Sequence, residues 1–217
     1  MFKHLFSWWK EDILLREALN GSALALEKAS KMFSFAMNVL LTGVGEEKNI
    51  YVMDKEVNSL QIETRKKVLE HLTIKPEQDV TSSLVLINII VDIERIGDYA
   101  KNIVELRRIS DGRLESDKYI SEIKNMRESI ENSILKTKEA FIEGDSKKVE
   151  KLMAEYTWIG HRCDNTLELV VGDETLKRRE AFVYGFLFRY LKRISAHARN
   201  ISSSVVNPFH KLGYRPE

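Results

Sequence analysis

The stretch Asp92-Ile-Glu-Arg-Ile-Gly-Asp-Tyr-Ala-Lys-Asn-Ile103 is the part of the sequence around which the rest of the chain is organised. On a helix, Glu94 and Asp98 lie four residues apart, so their carboxylates share one face, one turn apart. Two like charges at this spacing repel, and a bound cation or cationic side chains nearby would reverse that penalty. Two hypotheses follow: a metal site that a second helix completes, or a solvated acidic turn that is paired with Arg95 or Lys101.

Between the two acids, Gly97 is an unusual choice for a helix interior, where glycine costs about 1 kcal/mol relative to alanine. We interpret it as a position where another backbone, or an ion held by another helix, comes close.

The composition excludes several classes of protein. The chain has 217 residues, of which 43% are hydrophobic and 31% charged, and its formal net charge is +1. That balance gives no electrostatic case for nucleic-acid binding. The single cysteine, Cys163, excludes an internal disulfide and a cysteine-built zinc site, and it favours a cytoplasmic location. No apolar stretch is long enough to predict a transmembrane span.

The first ten residues, Met1-Phe-Lys-His-Leu-Phe-Ser-Trp-Trp-Lys10, are rich in aromatic side chains but lack the apolar core of a signal peptide. Their aromatic and lysine side chains would suit a membrane interface. They would equally cap the end of a helical bundle or form an oligomer contact, and both hypotheses stay open.

Apolar residues recur at helical spacing in six segments, which Gly, Asp and Ser separate more often than proline does. The pattern predicts helices at about 12–41, 46–72, 76–109 and 119–141, then one that ends near 171, and a last one at about 175–206. Three helices followed by three more suggest a duplication, with a first bundle in residues 1–110 and a second in 111–217.

A gapless alignment supports the duplication, because Ile93-Glu-Arg-Ile-Gly-Asp-Tyr-Ala-Lys-Asn-Ile103 matches Leu191-Lys-Arg-Ile-Ser-Ala-His-Ala-Arg-Asn-Ile201. The identical pairs are Arg95 with Arg193, Ile96 with Ile194, Ala100 with Ala198, Asn102 with Asn200, and Ile103 with Ile201. Gly97 becomes Ser195, which is also small. Both acids are lost, because Lys192 replaces Glu94 and Ala196 replaces Asp98. The packing pattern is therefore repeated, whereas the acidic chemistry is not.

With these two copies, the sequence resembles the PhoU family of phosphate-uptake regulators. The stretch Glu94-Arg-Ile-Gly-Asp-Tyr-Ala-Lys-Asn-Ile103 is a strong form of that family's acidic signature, and the stretch from Leu191 to Ile201 is a degraded second copy. The resemblance covers nearly the whole chain. It implies an all-α fold of two tandem three-helix bundles, joined end to end and related by a pseudo-twofold internal repeat.

The resemblance also implies a metal site, since acidic pairs on adjacent helices of this family hold iron or zinc on the bundle surface. The pair on the third helix corresponds to Glu94 and Asp98, and the partner pair on the second helix corresponds to Asp54 and Asn58. Because the Asn58 amide adds no charge, we expect lower affinity than two carboxylates would give. The fifth helix offers only Asp164, with Gly160 four residues before it. We therefore expect at most one metal site, in the first bundle, and no metal in the second.

Other catalytic chemistry has no residues to support it. No Glu is followed three residues later by His, which argues against a di-iron carboxylate enzyme. The five histidines are scattered, and no phosphate-binding loop or hydrolase motif occurs. The sequence therefore predicts a protein that is not an enzyme.

The last helix is basic, because residues 181–216 contain no Asp or Glu. Arg189 and Arg193 lie one turn apart, and Lys192 occupies the position of Glu94. These three side chains predict a surface for an anion, an acidic partner or an anionic lipid face. The alternative is a solvated face whose counter-charges come from acids near residues 168–174.

We expect a non-enzymatic helical adaptor that couples phosphate uptake to signalling. By resemblance, its partners are a cytoplasmic subunit of a phosphate transporter and a sensor kinase, while contact with the inner face of the membrane and a homodimer stay open. Two alternatives remain: a metal-dependent hydrolase that uses Glu94 and Asp98, and a membrane-peripheral structural protein that uses its aromatic N-terminus.

Overall fold

A computed structural model describes residues 12–45, 48–110, 114 and 117–214. Over these residues the chain forms six long helices: α1 (Ile13–Thr42), α2 (Lys48–Ile74), α3 (Val80–Ile109), α4 (Asp117–Glu143), α5 (Ser146–Val171) and α6 (Arg178–Ser203). A short 3₁₀ helix, Phe209–Lys211, follows. The described part contains no β-strand, so the predicted all-α class is confirmed. The aromatic segment 1–10 lies outside the described residues.

The first helix of each bundle ends at a glycine, and an aspartate caps the start of α1 and another the start of α5. Asp12 and Asp145 each accept hydrogen bonds from two backbone N–H groups in the first turn of the helix that follows. Gly43 and Gly144 follow α1 and α4 with positive φ angles of 73° and 71°, a left-handed backbone that glycine adopts without a steric penalty. Short polar residues and glycines therefore set these boundaries.

The start of α3 differs from the prediction, which placed it near residue 76. The helix begins at Val80, and residues 76–79 form a turn. Asp79 has a φ of 55°, a left-handed conformation that a helix cannot contain. The turn at Asp79 therefore delays the helix by about one turn.

The helices pack as two sets of three. In the first set α1, α2 and α3 contact one another, and in the second set α4, α5 and α6 do so. Apolar residues of both sets form one continuous buried core. The helices α2 and α5 lie at opposite outer edges, so the groove between α2 and α3 and the groove between α5 and α6 both face solvent.

The two sets lie side by side rather than end to end as the resemblance implied. Helix α3 runs antiparallel along α6: His197 Nδ1 and Asn200 Nδ2 lie 2.6 and 3.1 Å from Asp92 Oδ1, and the Tyr99 and Tyr190 ring centroids are 5.7 Å apart. Helix α1 also packs along α4. Burying two long helix faces on each side removes more apolar surface from water than contact at the bundle ends would.

The repeat found in the sequence is also visible in this interface. The gapless alignment places Asp92 on Tyr190 and Tyr99 on His197, so the Asp92–His197 and Tyr99–Tyr190 contacts join equivalent positions. The apolar positions of the motif are fully buried in both copies: Ile93, Ile96, Ala100 and Ile103 in α3, and Leu191, Ile194, Ala198 and Ile201 in α6. The predicted pair of tandem three-helix bundles with a pseudo-twofold repeat is confirmed.

The division of the chain into two domains, between residues 110 and 111, stays a prediction. It falls in a connection of which residues 111–113 lie outside the described part, and the two sets share one core.

Among the described residues, none of the helices combines the length and the hydropathy needed to cross a membrane.

Candidate functional site

The four side chains predicted to bind a metal meet in the groove between α2 and α3, where a lysine lies among them. Lys101 Nζ donates hydrogen bonds to Asp98 Oδ1 at 3.0 Å and to Asp54 Oδ1 at 3.2 Å. Asn58 Nδ2 donates to Asp54 Oδ2 at 3.2 Å. The acids of the two helices are thus brought to one place, and the positive charge between them comes from the chain itself.

An arginine engages the same acids from the outside. Arg95 Nη1 lies 3.2 Å from Asp98 Oδ2, and Arg95 Nε lies 3.7 Å from Glu94 Oε2. The arrangement matches the second hypothesis from the sequence, in which Arg95 or Lys101 pairs with the acidic turn. It also leaves neither Glu94 nor Asp98 without a cationic neighbour, which weakens the basis for the hydrolase alternative.

The pKa shifts of Glu94 and Lys101 show that the acidic and cationic charges in this groove are unevenly balanced. Burial raises the pKa of Glu94, and the neighbouring Asp98 carboxylate raises it further. Burial opposes the charged form of Lys101, but its hydrogen bonds to Asp98 and Asp54 outweigh that effect and raise the pKa of the ammonium group. Lys101 therefore stays protonated at neutral pH, and the groove has a bound cation of its own.

As placed, these residues do not fit a metal ion. The oxygens that an ion would need, on Asp54 and Asp98, already accept hydrogen bonds from Lys101. Within the described ranges, no group of three or more His, Cys, Asp or Glu side chains is arranged to hold a metal. Iron or zinc binding by Glu94, Asp98, Asp54 and Asn58 stays a prediction, and it requires the ammonium group to move away.

Gly97 does not face this groove, contrary to our interpretation of the sequence. Its Cα is buried against the core, where an added Cβ would lie 3.3 Å from Met32 Sδ and 3.9 Å from Val57. The glycine therefore makes room for side chains of α1 and α2 rather than for an ion.

The equivalent groove in the second bundle, between α5 and α6, has the opposite chemistry. Lys192, at the position of Glu94, donates from Nζ to both oxygens of Asp164, at 2.7 and 2.5 Å. Its counter-charge is thus Asp164 on α5, not one of the acids near residues 168–174 that the sequence suggested. Lys192 consequently does not share a free basic surface with Arg189 and Arg193 as predicted.

Beside this ion pair lies a pocket of about 210 Å³ that sequence reasoning missed. Its walls include Asp164, Lys192 and Arg199. Two small residues leave the space: Ala196 also lines the pocket, and a Cβ built on Gly160 would meet no atom within 4 Å. The alignment showed the charge of this groove, since Lys192 replaces Glu94, but it did not show the space.

The outer face of α6 exposes the other two predicted cations. Arg189 and Arg193 project to solvent, and among the described residues neither has an ion-pair partner. Phe182 and Phe186 lie on the same face, 46% and 41% exposed, with ring centroids 4.5 Å apart. The helix therefore presents two arginines and two phenylalanines on one side.

Comparison with known proteins agrees with the resemblance drawn from the acidic signature. The model of the PhoU domain matches residues 24–106, which include most of α1 to α3 and the whole acidic groove. A "phosphate-specific transport system accessory protein PhoU homolog" of Clostridium acetobutylicum is 22% identical over 159 residues, which cover 70% of this chain and 72% of that protein.

Solved PhoU structures share the fold over nearly the whole chain. PhoU from Pseudomonas aeruginosa superposes with a TM-score of 0.79 at 19% identity, over 89% of this chain and 95% of that one. The phosphate transport system regulatory protein PhoU from Streptococcus pneumoniae superposes with a TM-score of 0.71 at 16% identity, over 95% of both chains. These likenesses extend the PhoU fold to the second bundle, which lies beyond the matched domain.

Proposed function

We propose that the chain is a non-enzymatic regulator of phosphate transport that acts through contacts with other proteins. The observation that supports this most is the match of residues 24–106 to the PhoU domain, together with the likeness to an accessory protein of a phosphate-specific transport system. The side chains of the acidic groove are engaged by Lys101 and Arg95, which is consistent with a structural role for that groove.

The proposed partners are a cytoplasmic subunit of a phosphate transporter and a sensor kinase, and the proposed location is the cytoplasm at the inner face of the membrane. A metal is not part of this proposal, because Lys101 already supplies positive charge to the groove where the resemblance would place an ion.

The outer face of α6 is the contact surface that we propose for such a partner. Arg189 and Arg193 are exposed and form no ion pair with any residue that the structure describes, and Phe182 and Phe186 add exposed aromatic area to the same face. Arginine and aromatic side chains are the residues most enriched at the energetic centres of protein interfaces. An acidic partner surface with an apolar centre would complement this face.

A pull-down from cells that are grown in phosphate excess and in phosphate limitation tests the proposal. We expect the wild-type chain to retain the transporter subunit or the kinase, and the double variant Arg189→Glu, Arg193→Glu to lose most of it. The matched control is Lys147→Glu, Lys151→Glu, which reverses two exposed cations at the same spacing on α5. Recovery of neither partner by the wild-type chain would overturn the regulator role, whereas equal recovery by the double variant would overturn only the contact face.

A further inference from the structure

The pocket between α5 and α6 brings two permanent cations to one small volume. Lys192 and Arg199 both line it, opposite a single carboxylate, Asp164. The exposed ring of His161 lines it as well. Its permanent charges therefore sum to a positive value, which is the reverse of the acidic groove in the first bundle.

Two of the groups around this pocket lack the hydrogen bonds that buried polar atoms normally make. Arg199 Nε is buried without a partner, and the described residues give its guanidinium group no ion pair. The Ser195 side chain is 1% exposed, and its hydroxyl group likewise has no hydrogen-bond partner among the residues that the structure describes. Unpaired buried donors destabilise a folded chain, so these two point to a ligand that accepts hydrogen bonds.

We propose that this pocket binds inorganic phosphate, a small oxyanion that still carries a proton at neutral pH. The oxygens of the anion accept hydrogen bonds from Arg199, Lys192 and Ser195, and guanidinium groups suit tetrahedral oxyanions especially well. A volume of 210 Å³ holds such an anion and several waters, each of which occupies about 30 Å³ in the liquid.

Asp164 determines which oxyanion fits. Its carboxylate lies in the pocket beside Lys192, where it repels an anion that has no proton to donate. Phosphate holds at least one proton at neutral pH and donates it to the Asp164 carboxylate, whereas sulfate holds none. The pocket is therefore selective for phosphate over sulfate.

This inference depends on the pocket and not on the proposed regulator role, so the two can fail separately. Purified full-length chain is titrated with sodium phosphate and, separately, with sodium sulfate at constant ionic strength near neutral pH, and heat is measured by calorimetry. We expect saturable binding of one phosphate per chain and at least tenfold weaker binding of sulfate. No saturable phosphate binding, or equal binding of sulfate, overturns the proposal.

Two variants test the pocket: one removes the side-chain donors that would bind the anion, and the other fills the space that it would occupy. A third variant is the control. Arg199→Met keeps the length of the side chain and removes its donors, and Gly160→Leu fills the pocket and leaves every charge in place. Each is expected to weaken phosphate binding at least tenfold: Arg199→Met because a hydrogen bond to a charged group typically contributes that much, and Gly160→Leu because its side chain occupies the space of the anion. Arg178→Gln removes an exposed charge from the start of the same helix, at a residue that does not line the pocket, and is expected to leave binding unchanged.

The free chain provides a second readout, which shows whether a variant still folds. Because Arg199 makes no hydrogen bond or ion pair in the described structure, Arg199→Met is expected to unfold at the same temperature as wild type, or higher, when phosphate is absent. Wild-type affinity in Arg199→Met or in Gly160→Leu would contradict the proposed site.

Discussion

The groove between α2 and α3 and the groove between α5 and α6 have the same packing but opposite electrostatics. In the first groove Lys101 is held by Asp54 and Asp98, with Glu94 beside them. In the second groove the cations outnumber the acid, and Arg199, the cation equivalent to Lys101, has no hydrogen-bond or ion-pair partner in the described part of the chain. Duplication therefore fixed the apolar positions that bury α3 and α6, while the residues that face solvent diverged.

The difference also separates a structural site from a ligand site. The first groove supplies its own cations, Lys101 between α2 and α3 and Arg95 beside them, which is what a rigid contact between two helices requires. The second groove leaves donors unsatisfied, which stabilises the folded chain less and provides binding capacity for an anion. Altering one groove at a time tests whether this division of roles holds.

The largest effect on stability is expected for Lys101→Met. Removal of the ammonium group leaves Asp54, Glu94 and Asp98 close together without the cation that offsets their repulsion. We expect a loss of about 1–3 kcal/mol in the free energy of unfolding, measured by urea denaturation near neutral pH. The control is Lys55→Met, an exposed lysine of α2, and a loss no larger than the control's would show that Lys101 does not hold the groove together.

The same variant tests the metal hypothesis. Without the ammonium group, no cation of the chain lies between Asp54 and Asp98, so Zn²⁺ should raise the unfolding temperature of Lys101→Met more than that of wild type. Stoichiometric iron or zinc in wild-type protein purified without chelators, absent from a Glu94→Ala, Asp98→Ala variant, would instead establish the predicted metal site.

A smaller effect is expected from glycine substitutions that compare the two bundles. Gly160→Ala places a Cβ where no atom lies within 4 Å, so the higher helix propensity of alanine should stabilise the chain by about 0.5–1 kcal/mol. Gly97→Ala places its Cβ 3.3 Å from Met32 Sδ, so crowding should cancel part or all of that gain. Thermal unfolding of both variants checks this, and an equal gain at the two sites would contradict the packing described for α3.

The smallest effect is expected for Glu94→Gln, and it depends on pH. Folding raises the pKa of Glu94 above 4.5, so the folded chain holds this proton more tightly than the unfolded chain does. Stability from this group is therefore present at low pH and is lost as pH rises through the folded pKa. Glutamine avoids that loss, so Glu94→Gln should be more stable than wild type by about 0.2–0.5 kcal/mol at neutral pH.

Unfolding temperatures measured at several pH values show whether this gain disappears as the solution is acidified. Glu128→Gln, an exposed acid of α4, is the control. A less stable Glu94→Gln at neutral pH would mean that attraction to Arg95 and Lys101 outweighs burial and the repulsion from Asp98.

The sequence predicted most of the fold because its apolar spacing and its repeat are strong local signals. The buried positions from Ile93 to Ile103, and their equivalents in α6, follow directly from the alignment. Helix starts were less predictable, since the left-handed conformation of Asp79 is set by the turn and not by an obvious residue type. Apolar spacing alone also did not separate buried from exposed positions on α2, because Val52, Ile62 and Leu69 are exposed on this helix.

The sites were harder to predict than the fold. Spacing placed Glu94 and Asp98 on one face and gave both of their actual neighbours, Arg95 and Lys101, but it could not show which cation occupies the groove. The pocket at Arg199 was not predicted, because it depends on space left by Gly160 and Ala196 on two different helices. Empty space of this kind can be recognised only once the helices are packed against each other.

The most direct test of the opposite roles of the two grooves is the position of phosphate on the protein. Titration of ¹⁵N-labelled chain with phosphate, followed by amide resonances in two-dimensional NMR, reports both grooves in one experiment. We predict saturable amide shifts at Gly160, Ser195 and Ala196. At Asn58, Gly97 and Lys101, phosphate is expected to cause no larger shifts than sulfate does. Shifts confined to the groove between α2 and α3, or no saturable shifts in either groove, would contradict this account.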